Sequence, residues 1–172
     1  SLDNDVLNEQ LQELQVLRSD IESHVPSMQE INKSGKEMAD SCADDRTAKD
    51  VNDMLEELNK RFDTVADRCK EREDDLANVA ENMGEFQDYV KKYEDWIKPC
   101  ISNLESKETM QLDVPVFKEH IHEVKLDAEE KAAELNTIKK LGDDLVNNPV
   151  TGDVRSVKDK VAECEKSWGT LN

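Results

Sequence analysis

The chain has 172 residues, 41 of them acidic and 23 basic, and its formal charge of −18 disfavours nucleic acid as a partner, since phosphate binders need surplus Lys and Arg. No apolar run approaches the roughly 20 residues that cross a bilayer, and residues 1–10 lack a basic stretch followed by an apolar one. A charged fraction of 37% would suit disorder, but the apolar residues recur too regularly, and the pattern predicts long solvated helices. Beginning without Met and stopping on a periodic segment, the sequence reads as a piece of something longer.

The first periodic stretch puts Leu7, Leu11, Leu14, Leu17, Ile21, Met28, Ile31, Gly35 and Met38 on one helical stripe, with His24 among them. Pro26 removes a backbone donor inside it, so a bend or loosening is expected over residues 22–26. Residues 41–46 read as a short loop, with Asp44 and Asp45 as capping residues for the next helix. From Val51 the apolar steps alternate four and three through Leu55, Leu58, Phe62, Val65 and Cys69, lapse at Arg72, and resume with Leu76, Val79, Met83, Phe86, Val90, Tyr93, Ile97, Cys100 and Leu104. Only Gly84 intervenes before Lys98, and a lone Gly costs about 1 kcal/mol against Ala, so one helix over residues 47–106 is expected. At 1.5 Å per residue it would span roughly 90 Å, too long for one compact core, and should join two bundles end to end. A third helix is expected from near Asp113, with Pro115 in its first turn, through Ile121, Val124, Ala128, Leu135, Ile138, Gly142 and Leu145. Residues 147–152 give a turn signal, and a last helix from near Asp153 carries Val157, Val161, Cys164 and Trp168.

Little in the sequence carries chemistry. Cys42, Cys69, Cys100 and Cys164 lie far apart with no CxxC pair, which reads as reduced thiols of a cytosolic protein, the last three as small core residues. His120 and His122 point about 200° apart on a helix and cannot share a metal. Asp44-Asp45 and Asp143-Asp144 lack the alternating ligands and central Gly of a calcium loop. With no phosphate-cradling loop and no nucleophile elbow, neither enzyme activity nor a cofactor or metal is expected. Trp96 and Trp168 sit beside the stripes, which favours core packing over a partner site.

An offset of 107 superposes Leu14 on Ile121, Leu17 on Val124, Met28 on Leu135, Ile31 on Ile138, Gly35 on Gly142 and Met38 on Leu145. Beyond the next loop an offset of 106 aligns Val51 with Val157, Leu55 with Val161, Leu58 with Cys164, Phe62 with Trp168 and Val65 with Leu171. One indel in a loop and none within helices marks a repeated helical unit, here of three helices in about 106 residues.

With Tyr93-Glu94-Asp95-Trp96-Ile97 in one helix, Lys166-Ser167-Trp168-Gly169 in another with Phe62 at the equivalent place, and a helix that runs on between units, the chain resembles tandem spectrin repeats. Phe62-Asp63-Thr64-Val65, Gly84-Glu85-Phe86 and Asn32-Lys33-Ser34-Gly35 are most similar to repeats of spectraplakins, more loosely to dystrophin, nesprin and spectrin rods. The resemblance implies an all-α fold of three-helix bundles joined by a continuous helix. Residues 1–82 would be a partial repeat holding helices B and C, and residues 83–172 a second repeat with A, B and a truncated C. It also implies a spacer in a cytoplasmic cytoskeletal linker, whose filament-binding modules lie elsewhere in the parent chain. The rival reading is a docking module for a partner helix.

In that frame Leu58, Phe62, Trp96, Cys164 and Trp168 are the expected core, and Leu76, Val79, Met83 and Phe86 the repeat junction. Trp96 and Trp168 should meet in one layer. Seams patterned for three helices leave a two-helix hairpin partly wet, so Leu14, Ile21, Met28, Leu55 and Val65 are the expected self-association face. A homodimer of the chain would cover it, and should dissolve when the preceding helix A is supplied.

Overall fold

The computed structural model describes residues 2–106, 113–151 and 153–171, with side chains from Asp5 onward. Among these residues four α-helices and no strand occur: α1 (Leu2–Ser41), α2 (Asp45–Leu104), α3 (Val114–Asn147) and α4 (Arg155–Leu171). The expected all-α architecture is present, and α2 runs 60 residues without a break through the stretch assigned to the junction. The chain divides into two compact units, Asn4–Ala77 and Asn78–Asn172, about one turn before the boundary placed between Asn82 and Met83.

Capping residues set the helix starts. Asp44 accepts from the Arg46 and Thr47 amides at 3.3 and 3.2 Å and from the Thr47 hydroxyl at 2.7 Å, filling the donors that the first turn of α2 leaves open. Those bonds, the Thr47 hydroxyl first, hold its carboxyl below the usual range. Asp113 and Pro115 open α3 as the sequence suggested, and Asp153 accepts the Arg155 amide at 3.0 Å ahead of α4. The Arg155 side chain grips the same carboxylate and pulls it down to about 2. Gly152, part of the expected turn, lies outside the described residues. Pro26 lies inside α1 as the stripe implied, the one lost amide donor being too little to end a 40-residue helix.

In the first unit α1 pairs with the first half of α2. Arg18 reaches Glu73 at 3.1 Å, and the Cys69 thiol lies 3.8 Å from the Leu14 carbonyl oxygen. Asn32 and Asn59 exchange amide bonds in both directions, each 2.7 Å. In the second unit the rest of α2 joins α3 and α4 around Val79, Met83, Phe86, Tyr93, Ile97, Ile138, Leu145, Val157 and Cys164, all buried. Lys139 and Glu165 bridge α3 to α4 at 2.6 Å. By the internal offsets these two residues are the counterparts of Asn32 and Asn59, so each unit ties its hairpin at the same place with different chemistry.

Two glycines hold helices close. A Cβ on Gly35 would stand 2.8 Å from the Leu55 side chain, and one on its counterpart Gly142 would stand 2.6 Å from Val161 Cγ2. Val161 is in turn the counterpart of Leu55, and its β-branched side chain has little freedom to turn away. Gly142→Ala should therefore destabilise by about 1–2 kcal/mol, overpacking outweighing the gain in helix propensity. Gly84 has nothing within 4 Å of such a Cβ. There the same substitution should stabilise by about 0.5–1 kcal/mol. Urea unfolding of the two variants checks both signs; stabilisation by both would mean the α3–α4 contact yields freely.

Candidate docking site

The aromatic residues singled out in the sequence come together inside the second unit. The Trp96 and Trp168 rings lie 6.4 Å apart at 41°, and Tyr93 and Trp96 5.9 Å apart at 54°, tilted pairings that suit aromatic quadrupoles. Tyr93 is fully buried and donates its hydroxyl to the Cys164 carbonyl at 3.3 Å; burial raises its pKa. Both indoles are half-buried. Beside this layer Glu94 accepts from Lys160 at 2.8 Å and Lys98 at 2.7 Å, which lowers its pKa, Lys160 contributing most. A lowered carboxylate stabilises the fold above its unfolded-state pKa and loses that contribution as pH falls through the folded value. This tie between α2 and α4 should therefore weaken only in acid.

Cys164 is buried in the same layer, and loss of hydration pushes its thiol up to about 11. Thiolates, not thiols, attack electrophiles, so Cys164 should resist a maleimide at pH 7–8 in the native protein while half-buried Cys42 reacts. Peptide mapping after a short exposure reads this directly; equal labelling would place Cys164 near the surface.

The equivalent positions fare differently in the first unit. Ile138 is 0% exposed and its counterpart Ile31 45%; Leu145 is 1% exposed and Met38 61%; Cys164 is 2% exposed and Leu58 38%. Leu58 thus departs from its expected place in the core, while Phe62 is half-buried. In the second unit Tyr93, Glu94 and Trp96 of α2 lie against Cys164, Lys160 and Trp168 of α4, whereas among the described residues of the first unit α1 packs with the first half of α2 alone. The expected self-association face also shifts. Leu55 is buried against Gly35, and Leu14, Ile21 and Met28 are half-buried by the hairpin itself, leaving Val65 as its one exposed member. The open strip instead carries Ile31, Met38, Met54, Leu58 and Val65. Ile31, Met38, Leu58 and Val65 belong to stripes that, by period alone, look wholly internal, and Met54 lies just off its stripe.

The junction residues Leu76, Val79, Met83 and Phe86 are all buried. His24 lies on an exposed part of α1 with Nδ1 2.7 Å from the Asp20 carbonyl oxygen, so that nitrogen carries the proton. His120 is half-buried and His122 exposed, on different sides of α3. Among the described residues no group of His, Cys, Asp or Glu could hold a metal ion, and no helix is long and apolar enough to cross a membrane.

Comparison with known proteins matches residues 2–78 to the spectrin repeat family model. Over 98% of its length the chain is 19% identical to human microtubule-actin cross-linking factor 1, isoforms 6/7, and 24% identical to the rat microtubule-actin cross-linking factor 1. It spans 5% of the human protein and 3% of the rat one. No solved structure matches significantly.

Proposed function

We propose that this chain, which carries a spectrin repeat over residues 2–78, is a semi-rigid spacer in a cytoskeletal cross-linker. The observation that carries the reading is α2, whose 60 residues pass uninterrupted from one compact unit into the next. A continuous helix passes bending and torque along its axis, because any hinge within it would have to break backbone hydrogen bonds. The relatives, named for linking microtubules and actin, support such a role in the cytoplasm, with filament contacts made by other parts of a parent chain. The role is mechanical rather than catalytic.

Spin labels at the exposed positions Lys60 and Lys91 test it. Thirty-one residues of helix separate them, so double electron–electron resonance should give one narrow peak near 46 Å, at about 1.5 Å per residue. A broad distribution reaching well below that value would identify a hinge and remove the basis for a spacer.

A further inference from the structure

Among the described residues three side-chain polar atoms are buried without a partner, and two of them are a donor and an acceptor on neighbouring helices of the second unit: Trp96 Nε1 on α2 and Glu134 Oε2 on α3. Phe86 stands 3.4 Å from where a Gly142 Cβ would be, and Cys100, whose thiol is raised by burial and then by the Asp127 carboxylate, lies against the other half of α3, so the two helices run antiparallel. Trp96 is one turn before Cys100, and Glu134 is two turns beyond Asp127 on the same row of α3. Both therefore border the groove between α2 and α3, their levels about 4 Å apart along the axis. Helical side chains lean toward the N-terminus of their own helix, so on antiparallel helices these two lean toward each other. The Trp96 ring pairs with Tyr93, and Lys131 donates to Glu134 Oε1 at 2.6 Å, each one turn back along its helix. Glu134 Oε2 is the oxygen left over.

We propose that Trp96 Nε1 and Glu134 Oε2 frame a site for one buried water, which accepts from the indole and donates to the carboxylate. A buried polar atom left without a partner forfeits its hydration, at most cost on an ionised group, and interior waters settle where two or more such atoms converge. No direct bond joins these two. Lys131 already balances the carboxylate and an indole N–H repels cations, so the site takes a neutral ligand rather than a metal ion. The bridge also completes a pattern. Glu94 with Lys160 ties α2 to α4, Lys139 with Glu165 ties α3 to α4, and the water gives α2 and α3 a polar tie of their own. It admits one register, because sliding α3 by a turn would carry Glu134 about 5.4 Å from the indole and strand both atoms.

Nuclear magnetic resonance of the 15N-labelled chain tests the site, with the two indole N–H signals assigned through Trp96→Phe and Trp168→Phe. The Trp96 signal should show cross peaks to water of opposite sign in laboratory-frame and rotating-frame experiments, which a long-lived bound water gives and proton exchange does not. Glu134→Gln, whose amide can still bond the water, should keep them. Glu134→Leu should lose them, and the Trp96 indole proton should then exchange about tenfold faster, as loss of one hydrogen bond allows. Leu is a strong helix former at a half-buried position, and near-ultraviolet circular dichroism of the aromatic layer should show the variant folded. The Tyr93 hydroxyl is present in all three chains and cannot account for the difference. Absence of the cross peaks from the parent chain overturns the proposal, whether the indole is then bonded directly to Glu134 or to nothing. Cross peaks equally strong in Glu134→Leu also overturn it, since the water would be held by other groups.

Discussion

Val79→Pro should cost at least about 3 kcal/mol and turn the single distance between labels at Lys60 and Lys91 into a broad distribution. Val79 is fully buried near the middle of α2, at the point where the two compact units meet in sequence. Proline there deletes the amide that bonds the Asp75 carbonyl, and its ring presses on that carbonyl, so the helix either kinks or opens by a turn. Chemical denaturation followed by far-UV circular dichroism gives the loss in stability, and the spin-label distances give the loss of continuity. A variant within about 1 kcal/mol of the parent, with its narrow distance kept, would show that the backbone at Val79 tolerates a missing bond and that continuity resides elsewhere.

The second large effect separates two positions that the sequence makes equivalent. Ile138→Ala should cost about 2–5 kcal/mol, because the side chain is fully buried and its removal leaves a cavity. Ile31→Ala, at the counterpart position, should cost less than about 1 kcal/mol, since nearly half of that residue already faces water. Urea titrations of the two variants under one buffer make the comparison. Equal costs would mean that Ile31 is covered in solution, and sedimentation of the same samples would tell whether a second copy covers it.

Helix existence, order and ends were legible because a 3.6-residue stripe flanked by Asp, Glu and Lys has one stable solution, and Asp44, Asp113, Pro115 and Asp153 mark where it starts. The Trp96–Trp168 pairing followed from register, since stripes on two antiparallel helices fix which turns face each other. Exposure of Leu58, Met38 and Ile31 was not legible residue by residue. Periodicity records which side of a helix is apolar and is silent about how many helices share it, so Leu55 and Leu58 look alike until the hairpin forms. The pairs Asn32 with Asn59 and Lys139 with Glu165 also escaped. They flank the stripe, where polar residues carry no periodic signal, and they share no residue type. Applying the offsets of 107 and 106 to polar positions as well as apolar ones would have found them.

Those two polar ties bear on how a chain of like units avoids assembling wrongly. During folding, α1 could pair with α4, or α3 with the first half of α2, because the apolar stripes are interchangeable; mispairing between neighbours is a hazard of tandem repeats. Such an exchange would set Asn32 opposite Glu165 and Lys139 opposite Asn59. The reciprocal amide pair would keep one of its two bonds and the ion pair would be dissolved, each at a cost on the order of 1 kcal/mol or less. Neither loss matters to a finished fold, but together they tilt the choice of partner by roughly tenfold while the helices are still sampling one another. A mismatch at this one crossing would thus favour each helix pairing within its own unit over pairing with its counterpart in the neighbour.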